Sequence, residues 1–174
     1  MSAESSVGAE ILRTIRDEFS DISDAEQVTR VCVRLLVAMI LGGLLGYERE
    51  TRGISAGLRT HMLVALGAAI FVLVPLEAGV SHGDLSRVLQ GVITGVGFLG
   101  AGAIIKLNQE QEIKGLTTAA SVWLTAAIGV AAGMGREATA VLSTLLALFI
   151  LAVLRQAGSR HKNDKKESTD PLQK

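Results

Sequence analysis

The sequence predicts an all-α, polytopic membrane protein, a bundle of about five transmembrane helices preceded by a short amphipathic helix. Three observations carry that expectation. Hydrophobic residues make up 49% of the 174 residues, and mean hydropathy is +0.42, more apolar surface than one soluble core of this size can use. Charged residues crowd the stretches 1–30 and 155–174, whereas 35–154 carries them only in short clusters. The apolar runs between those clusters lack the alternation of barrel strands, so in hydrocarbon their backbone groups must be satisfied within helices.

The elements follow in order. Residues 1–30 form an acidic amino-terminal segment in which Ile11, Leu12, Ile15 and Phe19 fall at helical spacing. They describe a short helix lying on the membrane or on the bundle, with a loosely ordered tail as the alternative. Glu10, Asp17, Glu18, Asp21, Asp24 and Glu26 stand where a signal peptide would be apolar, so the first membrane helix is expected to do the targeting. Residues 31–155 form the transmembrane domain. Its first span runs 31–47 with Arg34 about one turn inside the boundary, and the others run 60–76, 88–105, 115–135 and 138–154. Pro75 is tolerated as a kink near the end of the second span. The connections at 81–87, 106–114 and 133–137 read as turns, so consecutive helices are antiparallel neighbours. Residues 156–174 are expected to be a basic, flexible cytoplasmic tail.

Orientation follows from the basic residues. Arg13, Arg16, Arg30, Arg87 and Arg136 would share one side; Arg49, Arg52, Arg59, Lys106, Lys114 and the basic tail would share the other. The richer side is cytoplasmic, which puts the amino terminus in the periplasm and the carboxyl terminus in the cytoplasm.

Several functional classes have no support. A net charge of zero with 3% aromatic residues offers nucleic acid neither a basic face nor a stacking platform. GxxxxGK[ST] and HExxH are missing, and the chain is expected not to be an enzyme. Cys32 is the single cysteine, a small apolar helix residue with no disulfide partner in the chain. Gly95-Val-Gly97-Phe-Leu-Gly100 spells GxGxxG, but it lies inside an apolar span with no strand before it, so it reads as helix packing or a backbone lining a cavity.

Helix contacts in a membrane favour small residues at four-residue steps. On the first span that step gives Arg34, Ala38, Gly42 and Gly46; on the fourth, Thr117, Ser121, Thr125, Gly129 and Gly133. The third span carries Gly91, Gly95, Gly97, Gly100 and Gly102. All three sets are expected to face other helices, and Arg34 to point into the bundle. Leucines of the last span face lipid.

Polar residues at the apolar boundary form two groups. On the outer side lie Arg34, Glu77, Asp84, Arg87 and Gln90. Arg34 needs a carboxylate, backbone carbonyls or water, with Glu77 or Asp84 as partner, either as a structural ion pair or in a conduction path. Asp84 also fits a helix N-cap. On the inner side lie Glu48, Arg49, Glu50, Arg52, Arg59, Thr60, His61, Lys106, Asn108, Lys114, Thr117 and Thr118. Glu48 and Glu50 are hard oxygen ligands of the kind Mg2+ accepts, and a plainer reading makes them solvated interface charges beside Arg49 and Arg52. His61 has no second histidine or cysteine at ligand spacing and reads as a polar helix-end residue. No cofactor is expected beyond possible Mg2+ binding.

Four blocks, GLLGYERETRG from Gly43, GLRTHMLVALGAA from Gly57, GVGFLGAGAIIK from Gly95 and GLTTAASVWLTAAIGVAAG from Gly115, together resemble the MgtC/SapB family of bacterial membrane proteins across roughly residues 30–155. The resemblance implies a bacterial inner-membrane protein linked to magnesium limitation, survival inside host cells and membrane energetics. It also implies either a component of magnesium transport or a regulator, with the F-type ATP synthase as one partner. A homodimer is expected on symmetry grounds. Longer members continue into an ACT-like cytoplasmic domain, which this chain is expected to lack, as in the short, SapB-like form. Carried over onto this sequence, the family pattern marks Glu48, Arg49, Glu50, Arg59, Thr60, Asp84, Arg87, Gln90, Thr117, Thr118 and Ser121. Two readings result: a non-enzymatic regulator or adaptor in magnesium homeostasis, or a subunit of a cation transporter or channel.

Overall fold

The computed structural model describes residues 2–18, 24–106 and 113–167. Its elements are α1 (Ser2–Glu18), α2 (Ala25–Glu50), α3 (Leu58–Glu77), α4 (His82–Ala103), β1 (Ile105–Lys106), β2 (Ile113–Lys114), α5 (Leu116–Gly133) and α6 (Glu137–Glu167). The chain is a polytopic helical membrane protein: α2, α3, α4 and α5 are each long and apolar enough to cross a bilayer. α6 carries a shorter apolar stretch, Glu137–Ala152, about 24 Å of helix at 1.5 Å per residue. Four helices are thus long and apolar enough to span a bilayer among the described residues, and the apolar stretch of α6 falls where the fifth span, 138–154, was expected.

Two compact units are distinguished, Met1–Val33 and Arg34–Lys174. In the first, α1 exposes Val7, Ile11, Leu12 and Ile15, while its polar side carries the Arg13–Asp17 pair at 3.9 Å. Asp24 starts α2 by accepting the Gln27 N–H at 2.7 Å, an N-cap that satisfies one of the donors a helix leaves free. α2 therefore begins six residues before the expected first span, because a polar turn capped by Asp24 precedes the apolar run.

The second unit is built around α5, which packs against α3, α4 and α6. Its core joins Ala38, Leu41 and Leu45 of α2, Ala65 and Ala69 of α3, Ile128 and Ala132 of α5, and Ala140 and Ala147 of α6. Alanines dominate because membrane helices gain stability from close backbone approach rather than from hiding bulk from water. Gly42 and Gly46 show how close: a Cβ on Gly42 would lie 2.6 Å from the His61 carbonyl oxygen, and one on Gly46 2.7 Å from Leu58 Cα. On α5, a Cβ at Gly129 would collide with the Ala65 carbonyl and one at Gly133 with the Ala69 carbonyl.

Two expectations need correction. The connection expected as a plain turn at 106–114 holds an antiparallel pair, Ile105 opposite Lys114 and Lys106 opposite Ile113. Gly115 then enters α5 at φ 95, and a Cβ there would strike the Ala103 carbonyl, so only glycine fits. Beyond residue 155, where a flexible tail was expected, α6 continues as helix to Glu167. Residues 168–174 lie outside the described part. On α6, Leu142, Leu145, Leu146, Phe149 and Ile150 are exposed, as a lipid-facing side requires.

Candidate functional site

The polar residues expected on the inner side gather where α2 ends, α3 begins and α5 begins. Gly53 at φ 71 closes the end of α2, with its N–H on the Glu50 carbonyl at 2.9 Å and the Ile54 N–H on the Arg49 carbonyl at 3.1 Å. That turn lays the carboxylate of Glu50 over the first turn of α3. One of its oxygens accepts the Leu58 N–H at 2.8 Å. Gly57, the N-cap, contributes no side-chain cap, and its missing Cβ leaves room for Glu50, whose carboxylate oxygen would lie 2.6 Å from such an atom. Glu50 is therefore the cap of α3 supplied from another helix, a charge placed at the positive end of the dipole.

Glu48 has a different occupation. One carboxylate oxygen meets Arg49 at 2.6 Å and the other meets Arg52 at 3.2 Å. Arg49 is 5% exposed and is held by an adjacent carboxylate, the condition a buried guanidinium needs. A metal between Glu48 and Glu50 would have to displace these partners. Among the described residues no group of three or more His, Cys, Asp or Glu side chains is arranged to hold a metal.

Sequence reasoning missed the centre of this cluster. His61 is fully buried and ties the start of α3 to α5: one ring nitrogen lies 3.0 Å from the Gly57 carbonyl and the other 3.3 Å from Ser121 Oγ. Ser121 donates to the Thr118 carbonyl at 2.8 Å and Thr125 to the Ser121 carbonyl at 2.8 Å. The signal was present, since His61 lies four residues past Gly57 and opposite the hydroxyl ridge, but a sequence does not reveal which helices touch. Thr118 and Ser121 belong to the buried cluster, whereas Arg59, Thr60 and Thr117 are exposed. Every buried side-chain nitrogen and oxygen among the described residues has a hydrogen-bond partner.

The outer group separates into two. Arg34 pairs with Glu77 at 3.7 Å, their side chains 19% and 21% exposed, and donates to the Gly133 carbonyl at 3.4 Å. Between the two candidate partners the structure selects Glu77, and the end of α5 adds a carbonyl at the negative pole of its dipole. Gly135, at φ 72, makes room: a Cβ there would lie 2.5 Å from the Arg34 guanidinium. Asp84, Arg87 and Gln90 are instead exposed on α4. Ser81, not Asp84, is the N-cap of α4; its Oγ accepts the Asp84 N–H at 3.2 Å and donates to the Asp84 carboxylate at 2.7 Å, a two-way capping arrangement. Asp84 occupies the third helical position because Ser81 is the residue with the extended backbone a cap requires.

The glycine sets divide in the same way. Gly42, Gly46, Gly129 and Gly133 make the closest helix contacts, and Gly100 lies in ordinary contact with Ala119. Gly91, Gly95 and Gly97 are exposed, and a Cβ on any of them would meet nothing within 4 Å.

Comparison with known proteins adds to this geometry. The sequence model of the MgtC family matches residues 35–160. Protein SrpB of Synechococcus elongatus is 43% identical over 133 residues, 68% of this chain and 71% of the relative. The putative magnesium transporter YhiD of Escherichia coli K12 is 42% identical over 138 residues, 75% of this chain and 63% of the relative. Protein MgtC of Salmonella typhimurium is 41% identical over 128 residues, 74% of this chain and 54% of the relative. The chain thus spans less than two thirds of the latter two relatives. No solved structure matches.

Proposed function

The chain belongs to the MgtC family, and on that premise we propose that it is a non-catalytic membrane regulator or adaptor in magnesium homeostasis, acting through helix contacts with itself or with a protein partner in the bacterial inner membrane. The observation that carries this reading is how the inner polar cluster is occupied. Glu50 caps α3, Glu48 serves two guanidiniums, and His61 links α3 to α5. Polar groups used in this way hold helices in register and leave no carboxylate pair free to strip water from a small, strongly hydrated cation. Glycines left exposed on α4 supply surface for association. The resemblance that names the F-type ATP synthase makes it one candidate partner, and the amino terminus is assigned to the periplasm and the carboxyl terminus to the cytoplasm.

A second reading, a magnesium or other cation transporter subunit, is favoured by the printed name of the Escherichia coli relative. Growth in limiting magnesium separates the two in a host lacking its own copy. A regulator restores growth equally as wild type and as Glu48→Gln, with the initial rate of Mg2+ uptake unchanged. Growth that rises only with uptake, and is lost in Glu48→Gln protein that still folds, supports transport.

A further inference from the structure

One face of α4 has no partner in its own unit among the described residues. Asp84, Arg87, Gln90, Gly91, Thr94 and Gly95 recur at three- and four-residue steps, which places them on one side of the helix, and all are exposed. Lipid is a poor neighbour for this side. α4 is 22 residues long, about 33 Å, so Gln90 in its third turn lies below the surface of an apolar layer about 30 Å thick. Thr94 Oγ1 donates to the Gln90 backbone carbonyl at 2.8 Å, but the Gln90 amide makes no hydrogen bond among the described residues, and Arg87 makes no ion pair there.

We infer that this side of α4 is the contact with a second copy of the chain, packed α4 against α4 about a two-fold axis along the membrane normal. Charge complementarity selects a copy as the occupant. The surface carries an acid and a base three residues apart, and a two-fold axis sets Asp84 of each copy beside Arg87 of the other, so one surface satisfies itself twice. Asp84 retains a carboxylate oxygen for this, since Ser81 engages only one. The Gln90 amide both donates and accepts, so two of them meeting near the axis satisfy each other in hydrocarbon. Gly91 and Gly95 let the backbones approach, beside an apolar groove of about 590 Å³ between α3 and α4 whose walls include Leu63, Phe71 and Leu99. The inference deepens the proposed function and rests on its claim that the chain works through helix contacts.

The test uses the full chain in lipid nanodiscs and bilayers, with Cys32→Ser as background. Thr94→Cys is expected to cross-link into a dimer on oxidation, and Leu142→Cys on the lipid-facing side of α6 is not. Asp84→Arg and Arg87→Asp should each weaken dimerisation about tenfold, and the two together should restore it to within about threefold of wild type. Gly95→Leu guards against misfolding as the explanation, because a Cβ there meets nothing within 4 Å; it should remain folded and become monomeric. A wild type that stays monomeric at high protein-to-lipid ratio, equal cross-linking at position 142, or a charge exchange that fails to restore the dimer would overturn the inference. None of these outcomes alters Mg2+ flux, so the inference can fail while the regulator reading stands.

Discussion

Gly129 and Gly95 share a residue type and differ in what surrounds them. At Gly129 a side chain would have to occupy the space of the Ala65 carbonyl, part of the α3 backbone, whereas at Gly95 it would enter open space. Gly129→Leu should therefore destabilise the bundle by more than about 3 kcal/mol, since a packed helix pair cannot separate locally without losing its other contacts. Gly95→Leu should leave thermal unfolding of the monomer unchanged, and unfolding in detergent followed by circular dichroism compares the two. Arg34 makes a second case. Removing either Arg34 or Glu77 leaves a mostly buried charge without its ion-pair partner, so Arg34→Met alone should cost about 2 kcal/mol more than the double variant with Glu77→Met; a double-mutant cycle on unfolding measures the coupling. The four-residue ridges and the need of Arg34 for a carboxylate were legible in the sequence. The choice of Glu77 over Asp84 was not, because it depends on where the turn at Gly135 carries the end of α5.

Caps show how neighbouring elements hold one another. The first turn of α3 has no capping side chain of its own, so the end of α2 supplies one through Glu50, eight residues earlier in the chain. Glu50→Ala should destabilise the start of α3 by about 1 kcal/mol, and Glu50→Gln, which keeps an acceptor oxygen, by less. Protease cleavage within residues 51–57 and thermal unfolding report the difference. At the scale of elements the sequence was informative about apolar length, since the helices α2 to α5 coincide with expected spans, and about the amphipathic α1. It was less informative at boundaries. α2 starts early because Asp24 caps it, and the pairing at 105–114 depends on a two-residue register that leaves no periodic trace. His61 looked like a helix-end residue because its distance from Ser121 exists only once α3 and α5 are packed.

For the whole molecule, the inner polar cluster stands at the end of α2 and the outer Arg34 pair about four turns earlier along it, and both are internally satisfied. In the inner cluster both Glu48 oxygens meet guanidiniums and one Glu50 oxygen caps α3. The part of the molecule that looks outward is α4, with its uncovered glycines and polar side chains. That division, bonding within and association without, is the physical content of the regulator reading. The measurement that tests it most directly is Mg2+ flux into sealed proteoliposomes containing the folded full-length chain, with Glu48→Gln beside wild type. Flux at the level of empty liposomes for both proteins is the predicted result; saturable flux through wild type that Glu48→Gln abolishes without unfolding would contradict it and make the chain a transport protein.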